Sequence, residues 1–323
     1  MIEQPPKYDW TLALSVSETP DLAALGMFEN DDKRVLSAVL TPLVYRGARI
    51  AYGGRIDPPT QTNFTLEIST QLAAAYRSTG RALKSRPFIH YLRANDLHRK
   101  LLPDDPYRER EDKVWAHTLR LGAFSEIKLL SGETTVATLM SSGKIADVYI
   151  GDRRLPEVLK SAARLKTVPQ IALLFDEEPP RDGLAALRRA MARETDARII
   201  LGCRVAGSRH CDGTWWGDGS SGIAAEAVAT LEENKPLIVI GGIGGASRDI
   251  AAELDLIDAK DQVLHARSGD PGENQQFDNY DASMKLVGGF ADDYRARLEA
   301  AASGMTPSAS PCPTAIPRSP SWS

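Results

Sequence analysis

Short apolar runs alternate with amphipathic segments along most of the chain. Runs of about five or six mostly apolar residues are typical of buried strands, whereas apolar residues spaced three and four apart indicate helices. The pattern predicts strands over Thr11–Val16, Gly47–Gly54, Pro87–Leu92, Ile171–Phe175, Ala197–Gly202 and Pro236–Gly241. It predicts helices over Asp31–Tyr45, Thr65–Tyr76, Asp182–Glu194, Gly222–Glu233 and Ser247–Leu254.

This alternation predicts an α/β fold with a Rossmann-like, doubly wound and mostly parallel sheet. Residues 1–260 are expected to form one such domain. The stretch from 95 to 170 is rich in charge, and helices with one or two strands are expected there. Residues 261–302 are predicted to form a C-terminal helical extension. Residues 303–323 are dominated by Pro, Ser and Thr and are predicted to be a disordered tail.

Composition narrows the class of function. A formal net charge of −4 over 323 residues argues against non-specific nucleic-acid binding as the main role. Three cysteines fit a reducing compartment, and neither a leader pattern nor a membrane-length apolar run is present, so a cytoplasmic protein without a membrane partner is expected. Cys203, His210 and Cys211 lack a fourth ligand at the usual spacing, and neither a metal nor a cofactor is predicted.

Small or glycine-rich turns follow several predicted strands and lead into helices. Glycine allows a phosphate to approach the backbone, and the free amides of a helix N-terminus attract anions. Because ligands of parallel sheets bind beyond the strand carboxyl ends, these turns are expected to line one cleft for a phosphate-bearing ligand. The predicted ligand-binding residues are Ser15, Ser17, Glu18, Tyr52, Gly53, Gly54, Arg55, Thr65, Gly219, Ser220, Ser221, Gly222, Gly241, Gly242, Gly244 and Gly245.

Each turn also has a purely structural interpretation. Ser15 and Ser17 are compatible with a plain turn closed by local side-chain bonds. The glycines at 53 and 54 are compatible with a tight turn beside a solvated Arg55. Ser247 is compatible with a simple helix N-cap.

The segment from Asp218 to Glu226 resembles the Pro-Gly-Gly-x-Gly-Thr-x-x-Glu loop of lysine-decarboxylase-like LOG proteins and the wider SLOG superfamily. Gly219, Gly222 and Glu226 stand in register with that loop, and Arg204 stands upstream at a spacing similar to that of the family's arginine. Asp218, Ser220 and Ile223 replace the loop's proline, second glycine and threonine.

The resemblance extends beyond this loop. Ser15–Glu18 and Tyr52–Gly54 look like the first two strand-end loops of the family, in the same order. The resemblance covers about residues 10–256, with a poor match between about 95 and 170. Within this superfamily the chain looks most like bacterial SLOG-cluster proteins, some of which are linked to antiphage defence.

What the resemblance implies is a protein that binds or senses a nucleotide or an ADP-ribose-related ligand in bacterial antiphage or stress signalling. It also implies a homo-oligomer and an effector protein as partners. The alternative is a LOG-like phosphoribohydrolase that cleaves the N-glycosidic bond of a nucleoside 5′-monophosphate, with Arg204 and Glu226 as catalytic residues. Asp218 adds negative charge where a phosphate monoester would lie, which counts against the hydrolase. A ligand whose phosphates lie elsewhere, or a sensor without turnover, is less affected by this charge. A structural module without a ligand is the third interpretation.

Overall fold

A nine-stranded sheet forms the centre of the molecule. The computed structural model describes residues 10–19, 21–28, 30–54, 63–78, 86–93, 116–141, 146–150, 153–154, 183–203, 205, 222–258 and 271–302. The strands are β1 Thr11–Ser17, β2 Arg49–Tyr52, β3 Phe88–Arg93, β4 Ser125–Ser131, β5 Thr134–Ser141, β6 Ala146–Ile150, β7 Arg153–Arg154, β8 Ala197–Gly202 and β9 Leu237–Ile240. The helices are α1 Asp31–Tyr45, α2 Phe64–Ser78, α3 at 116–121, α4 Gly183–Glu194, α5 Gly222–Glu232, α6 Gly245–Glu253, α7 Pro271–Gly288 and α8 Ala291–Ala302.

The sheet is mostly parallel, as predicted. Its strand order is β7-β6-β5-β4-β3-β2-β1-β8-β9. Strands β4, β3, β2, β1, β8 and β9 run parallel, and β5, β6 and β7 add an antiparallel edge. From β1 the chain builds outwards through β2 to β4, and it returns to the other side of β1 to form β8 and β9. The order therefore reverses between β1 and β8, and open α/β sheets bind ligands at such a point.

Helices cover both faces of this sheet. On one face, α1 and α2 pack on β1, with Leu36, Leu40 and Ile68 buried against Leu12 and Leu14. On the other face, the apolar side of α4 packs on residues of β1, β2 and β3. Helices α5, α6 and α7 share a third apolar cluster, which also contains Ile200 of β8. No helix within the described ranges is both long enough and apolar enough to cross a membrane.

The prediction of one or two strands between residues 95 and 170 is wrong. Four strands, β4 to β7, lie in the described part of this stretch, and β4 and β5 form a hairpin. Their apolar residues alternate with charged or hydroxylated ones, as at Glu126 and Lys128 in β4. A strand with one solvated face has this alternation, which the high charge content obscured. The predicted strand at Ile171–Phe175 and the tail at 303–323 lie outside the described residues.

Candidate functional site

A buried arginine lies where the strand order reverses. Arg198 of β8 pairs in register with Ala13 of β1, and its side chain is fully buried. Its Nε donates to Thr230 Oγ1 at 2.7 Å, and its Nη1 donates at 2.8 Å to both Ser15 Oγ and Glu226 Oε2. Its Nη2 has no hydrogen-bond partner in the part of the chain that the structure describes. One donor of a buried cation is thus left for a further acceptor.

Burial and the carboxylate of Glu226 have opposite effects on the pKa of Arg198. Desolvation lowers the pKa of its guanidinium, the negative charge of Glu226 raises it, and the neighbouring Arg188 lowers it again. A buried cation in this setting is held by its hydrogen bonds, because desolvation alone costs several kcal/mol. Ser15, Thr230 and Glu226 supply those acceptors.

Helix α5 presents two of these acceptors to β8. Glu226 and Thr230 are four residues apart and therefore lie on the same side of the helix. Thr230 Oγ1 also donates to the carbonyl oxygen of Glu226 at 2.8 Å, which fixes the hydroxyl that accepts from Arg198. The Glu226 side chain retains 20% of its exposure, so it borders both the buried arginine and solvent.

Two residues predicted from the sequence meet here across 211 positions. Ser15 Oγ donates to Glu226 Oε2, and the same carboxylate oxygen accepts from Arg198. The predicted catalytic partner, Arg204, lies outside the described residues, and its role stays a prediction. Sequence reasoning missed Arg198, although a lone cation inside the otherwise apolar run of β8 was a visible indication.

A second arginine lies at the beginning of α5. Arg188 of α4 is buried, and its Nη2 lies 3.5 Å from the position that a Cβ atom on Gly222 would occupy. No acidic residue lies in the first turn of α5. Two buried guanidinium groups, those of Arg188 and Arg198, therefore lie near the N-terminus of α5. Such an arrangement favours an additional anion.

The turn after β2 is held by close packing. Tyr52 Oη donates to Val16 O of β1 at 3.3 Å. A Cβ atom on Gly54 would overlap the Tyr52 ring and lie 2.8 Å from Thr65 Oγ1, and one on Gly53 would lie 3.0 Å from Met191 Sδ. Burial raises the pKa of the Tyr52 hydroxyl, and the nearby Glu226 raises it further. Packing thus explains both glycines, and their predicted ligand contacts stay predictions.

Two buried histidines support the same turn. His90 Nε2 lies 2.8 Å from Gly54 O, which only accepts, so His90 carries its proton on Nε2. Its Nδ1 then accepts from His117 Nε2 at 3.1 Å. Burial lowers the pKa of His90 to about 4 and that of His117 to about 2. Both rings are neutral at physiological pH and act as a fixed chain of hydrogen bonds.

We expect the free energy of unfolding to fall when the pH is lowered from about 7.5 to about 5. The pKa of His90 is about 4 in the folded chain against 6.5 for an ordinary histidine, so the unfolded chain takes up the proton first. Its stabilising contribution is complete above pH 6.5 and is lost as the pH approaches 4. For His90 alone the loss between pH 7.5 and 5 is about 2 kcal/mol.

Urea unfolding across this pH range measures the effect. His90→Gln retains an N–H group for Gly54 O but does not titrate, so the dependence on pH should become shallower in this variant. An unchanged dependence would assign the loss of stability to other groups.

The backbone amides of the turn before α6 donate hydrogen bonds to other groups of the protein. Gly245 N donates to Asp21 Oδ2 at 2.7 Å, and Ala246 N donates to Cys203 O at 2.9 Å. Gly244 N donates to Gly241 O at 3.1 Å. The predicted anion-binding amides at 244 and 245 are thus engaged by the protein itself.

The interpretation of Ser247 as the N-cap of this helix is wrong. Helix α6 begins at Gly245, with Gly244 as its N-cap residue. Ser247 lies in its first turn, where its Oγ donates to Ile240 O at 3.0 Å and to Gly244 O at 2.9 Å. The early start depends on two consecutive glycines with φ values of +84° and +64°, which side chains with a Cβ rarely adopt.

The other predicted residues are spread over the same edge of the sheet. Ser17 ends β1 opposite Gly202 of β8, and Glu18 follows it. Gly242 has open space around its Cα. The remaining ones lie outside the described residues, namely Arg55, Gly219, Ser220 and Ser221.

Comparison with known proteins agrees with this fold. A family model described as SLOG cluster2 matches residues 7–128 and 148–294. No curated protein and no solved structure matches the chain. The matched regions contain β1, β8, α5 and α6, and membership at the level of the superfamily supports a nucleotide-related binding role or a LOG-like role. Because the match covers well over half of the sequence, the chain belongs to the SLOG cluster2 family.

Proposed function

We propose that the protein binds a nucleotide-related ligand at the edge where β1 and β8 end. The observation that carries the proposal is the buried guanidinium of Arg198, which bridges Ser15 and Glu226 through Nη1 and leaves Nη2 without a partner among the described residues. Buried donors are almost always satisfied in native proteins, so an orphaned one indicates an additional acceptor.

Charge favours a phosphate as that acceptor. Burial lowers the pKa of the Arg198 guanidinium, and Arg188 lies close enough to lower it as well. Gly222, the first residue of α5, lies beside Arg188. An anion at this position gains hydrogen bonds to charged donors, each worth about 1.5–3 kcal/mol, together with the helix dipole. A phosphate group of the ligand would supply the acceptor that Arg198 Nη2 lacks among the described residues.

Binding without turnover is the first form of this proposal. Glu226 Oε2 already accepts from Ser15 and Arg198, so this oxygen is engaged by the protein itself. A sensor for a nucleotide or an ADP-ribose-related ligand, acting in bacterial antiphage or stress signalling with an effector protein, uses the site in this way. Assembly into a homo-oligomer is part of the same proposal.

Hydrolysis of a nucleoside 5′-monophosphate is the second candidate. The 20% exposure of the Glu226 side chain favours it, because a carboxylate that reaches solvent can face the sugar of a bound ligand. In that reaction water forms a bond to the anomeric carbon while the bond to the base breaks. Glu226 stabilises the positive charge that develops on the sugar, the water loses a proton, and the base leaves with one.

Calorimetry with AMP and ADP-ribose, together with chromatography of the incubated nucleotides, tests these forms. We expect the full chain to bind at least one nucleotide, and Arg198→Lys to weaken binding by about tenfold or more, because Lys lacks the forked donors. Arg295→Lys, in an exposed pair with Asp255, is the matched control and should bind normally.

The outcomes separate the candidates. Release of free base by the native chain, lost in Glu226→Gln, would replace the sensor by the hydrolase. Failure of the folded protein to bind or cleave any nucleotide of a broad panel would overturn the proposal and leave the structural module.

A further inference from the structure

An aspartate fills the N-terminus of α6. Asp21 follows β1, retains only 8% of its exposure, and accepts from Gly245 N through Oδ2 at 2.7 Å. A Cβ atom on Gly244 would lie 2.9 Å from Asp21 Cβ, so the aspartate is packed directly against the turn. The partial positive charge at this helix terminus is already matched by a carboxylate of the same chain.

This aspartate lies at the same strand ends as the proposed ligand site. Ala246 of α6 donates to Cys203 O, directly after β8. Thr19 follows β1 at this edge, and its Oγ1 is buried beside Gly202 and has no partner among the described residues. Two buried polar atoms therefore lack a partner among the described residues: Thr19 Oγ1 beside Gly202, the last residue of β8, and Nη2 of Arg198, the second residue of β8.

The two helix N-termini at this edge therefore differ in charge. The beginning of α5 has Arg188 beside it, with Arg198 close by. The beginning of α6 has Asp21. A ligand lying across both would present its anionic group to α5 and a neutral or cationic group to α6.

We propose that Asp21 determines specificity at the proposed nucleotide site by excluding a second phosphate group from the N-terminus of α6. The inference rests on the proposed function. A pyrophosphate that reached this terminus would bring like charge within a few ångströms of a buried carboxylate, where repulsion is only weakly screened. Of the two ligand classes in the proposed function, this selects a nucleotide with one phosphate, held at α5, over a pyrophosphate such as ADP-ribose.

Calorimetry of the full chain with AMP, ADP and ADP-ribose tests this role. We expect AMP to bind about tenfold or more tightly than ADP or ADP-ribose. Asp21→Asn keeps an oxygen for the Gly245 amide and removes the charge, so it should reduce this preference about tenfold while AMP binding changes little. Asp31→Asn is the matched control, since Asp31 likewise accepts a backbone amide, that of Phe28, at the beginning of α1.

Three results would overturn the proposal. Equal affinities for AMP and ADP in the native chain would do so without any variant. An unchanged preference in folded Asp21→Asn would show that the charge does not discriminate. An equal increase in the affinity for all three ligands in that variant would mean that Asp21 blocks the site without selecting between them. In all three cases nucleotide binding persists, whereas loss of the proposed function appears as no binding in the native chain.

Discussion

Arg198→Met is expected to lower the free energy of unfolding by about 3–5 kcal/mol, as is typical when one partner of a buried ion pair is removed. The substitution fills much of the volume but leaves Glu226 without its cation and Ser15 and Thr230 without their shared donor. Urea unfolding monitored by circular dichroism measures the loss.

The matched control is Arg295→Met in α8. Arg295 pairs with Asp255 at the surface, where both side chains are largely exposed, and such pairs contribute about 1 kcal/mol or less. Glu226→Gln should destabilise the chain as well, and the double variant of Arg198 and Glu226 should cost less than the sum of the two. Additive losses would mean that the pair is not coupled.

Gly245→Ala is expected to destabilise the protein by about 3 kcal/mol or more, the second large effect. Gly245 has a φ of +64°, which by itself costs an alanine about 1–2 kcal/mol. In addition, a Cβ atom at this position would overlap Cys203 O, and a backbone atom cannot move aside as a flexible side chain does. Thermal and urea unfolding measure the combined cost of the backbone conformation and the overlap.

Two other glycines separate these causes. Gly122 has a φ of +68° with open space around it, so Gly122→Ala should show only the cost of the left-handed conformation. Gly242, in the same turn as Gly245, has open space and no positive φ, so Gly242→Ala should change stability by less than about 1 kcal/mol. A Gly245→Ala loss no larger than that of Gly122→Ala would contradict the clash with Cys203.

The strands of the parallel core were predictable because they are apolar on both faces. Strand β8 spans Ala197–Gly202, the range expected from its composition. The hairpin of β4 and β5 was not predictable, because its solvated face carries charges that interrupt the apolar pattern. The predicted range of α1 also agrees with the structure, because the helix continues through Pro42 to Tyr45.

The site was predictable only in part. The order of the turns indicated that Ser15 and Glu226 share one edge, and the structure brings their side chains into contact. Arg198 required knowledge of register, because only its pairing with Ala13 turns it towards α5. The Asp21–Gly245 bond joins residues 224 positions apart, and no local pattern indicates such a partner.

The position of β1 between β2 and β8 has a consequence for how the chain folds. Its pairing with β2 closes a short loop, but its pairing with β8 is flanked by the bond from Thr11 N to Asp196, which spans 185 positions. Long loops close slowly, because their entropy is lost before the contact forms. We expect β1, α1 and β2 to assemble early, and the cluster around Arg198 to form only when the C-terminal strands dock.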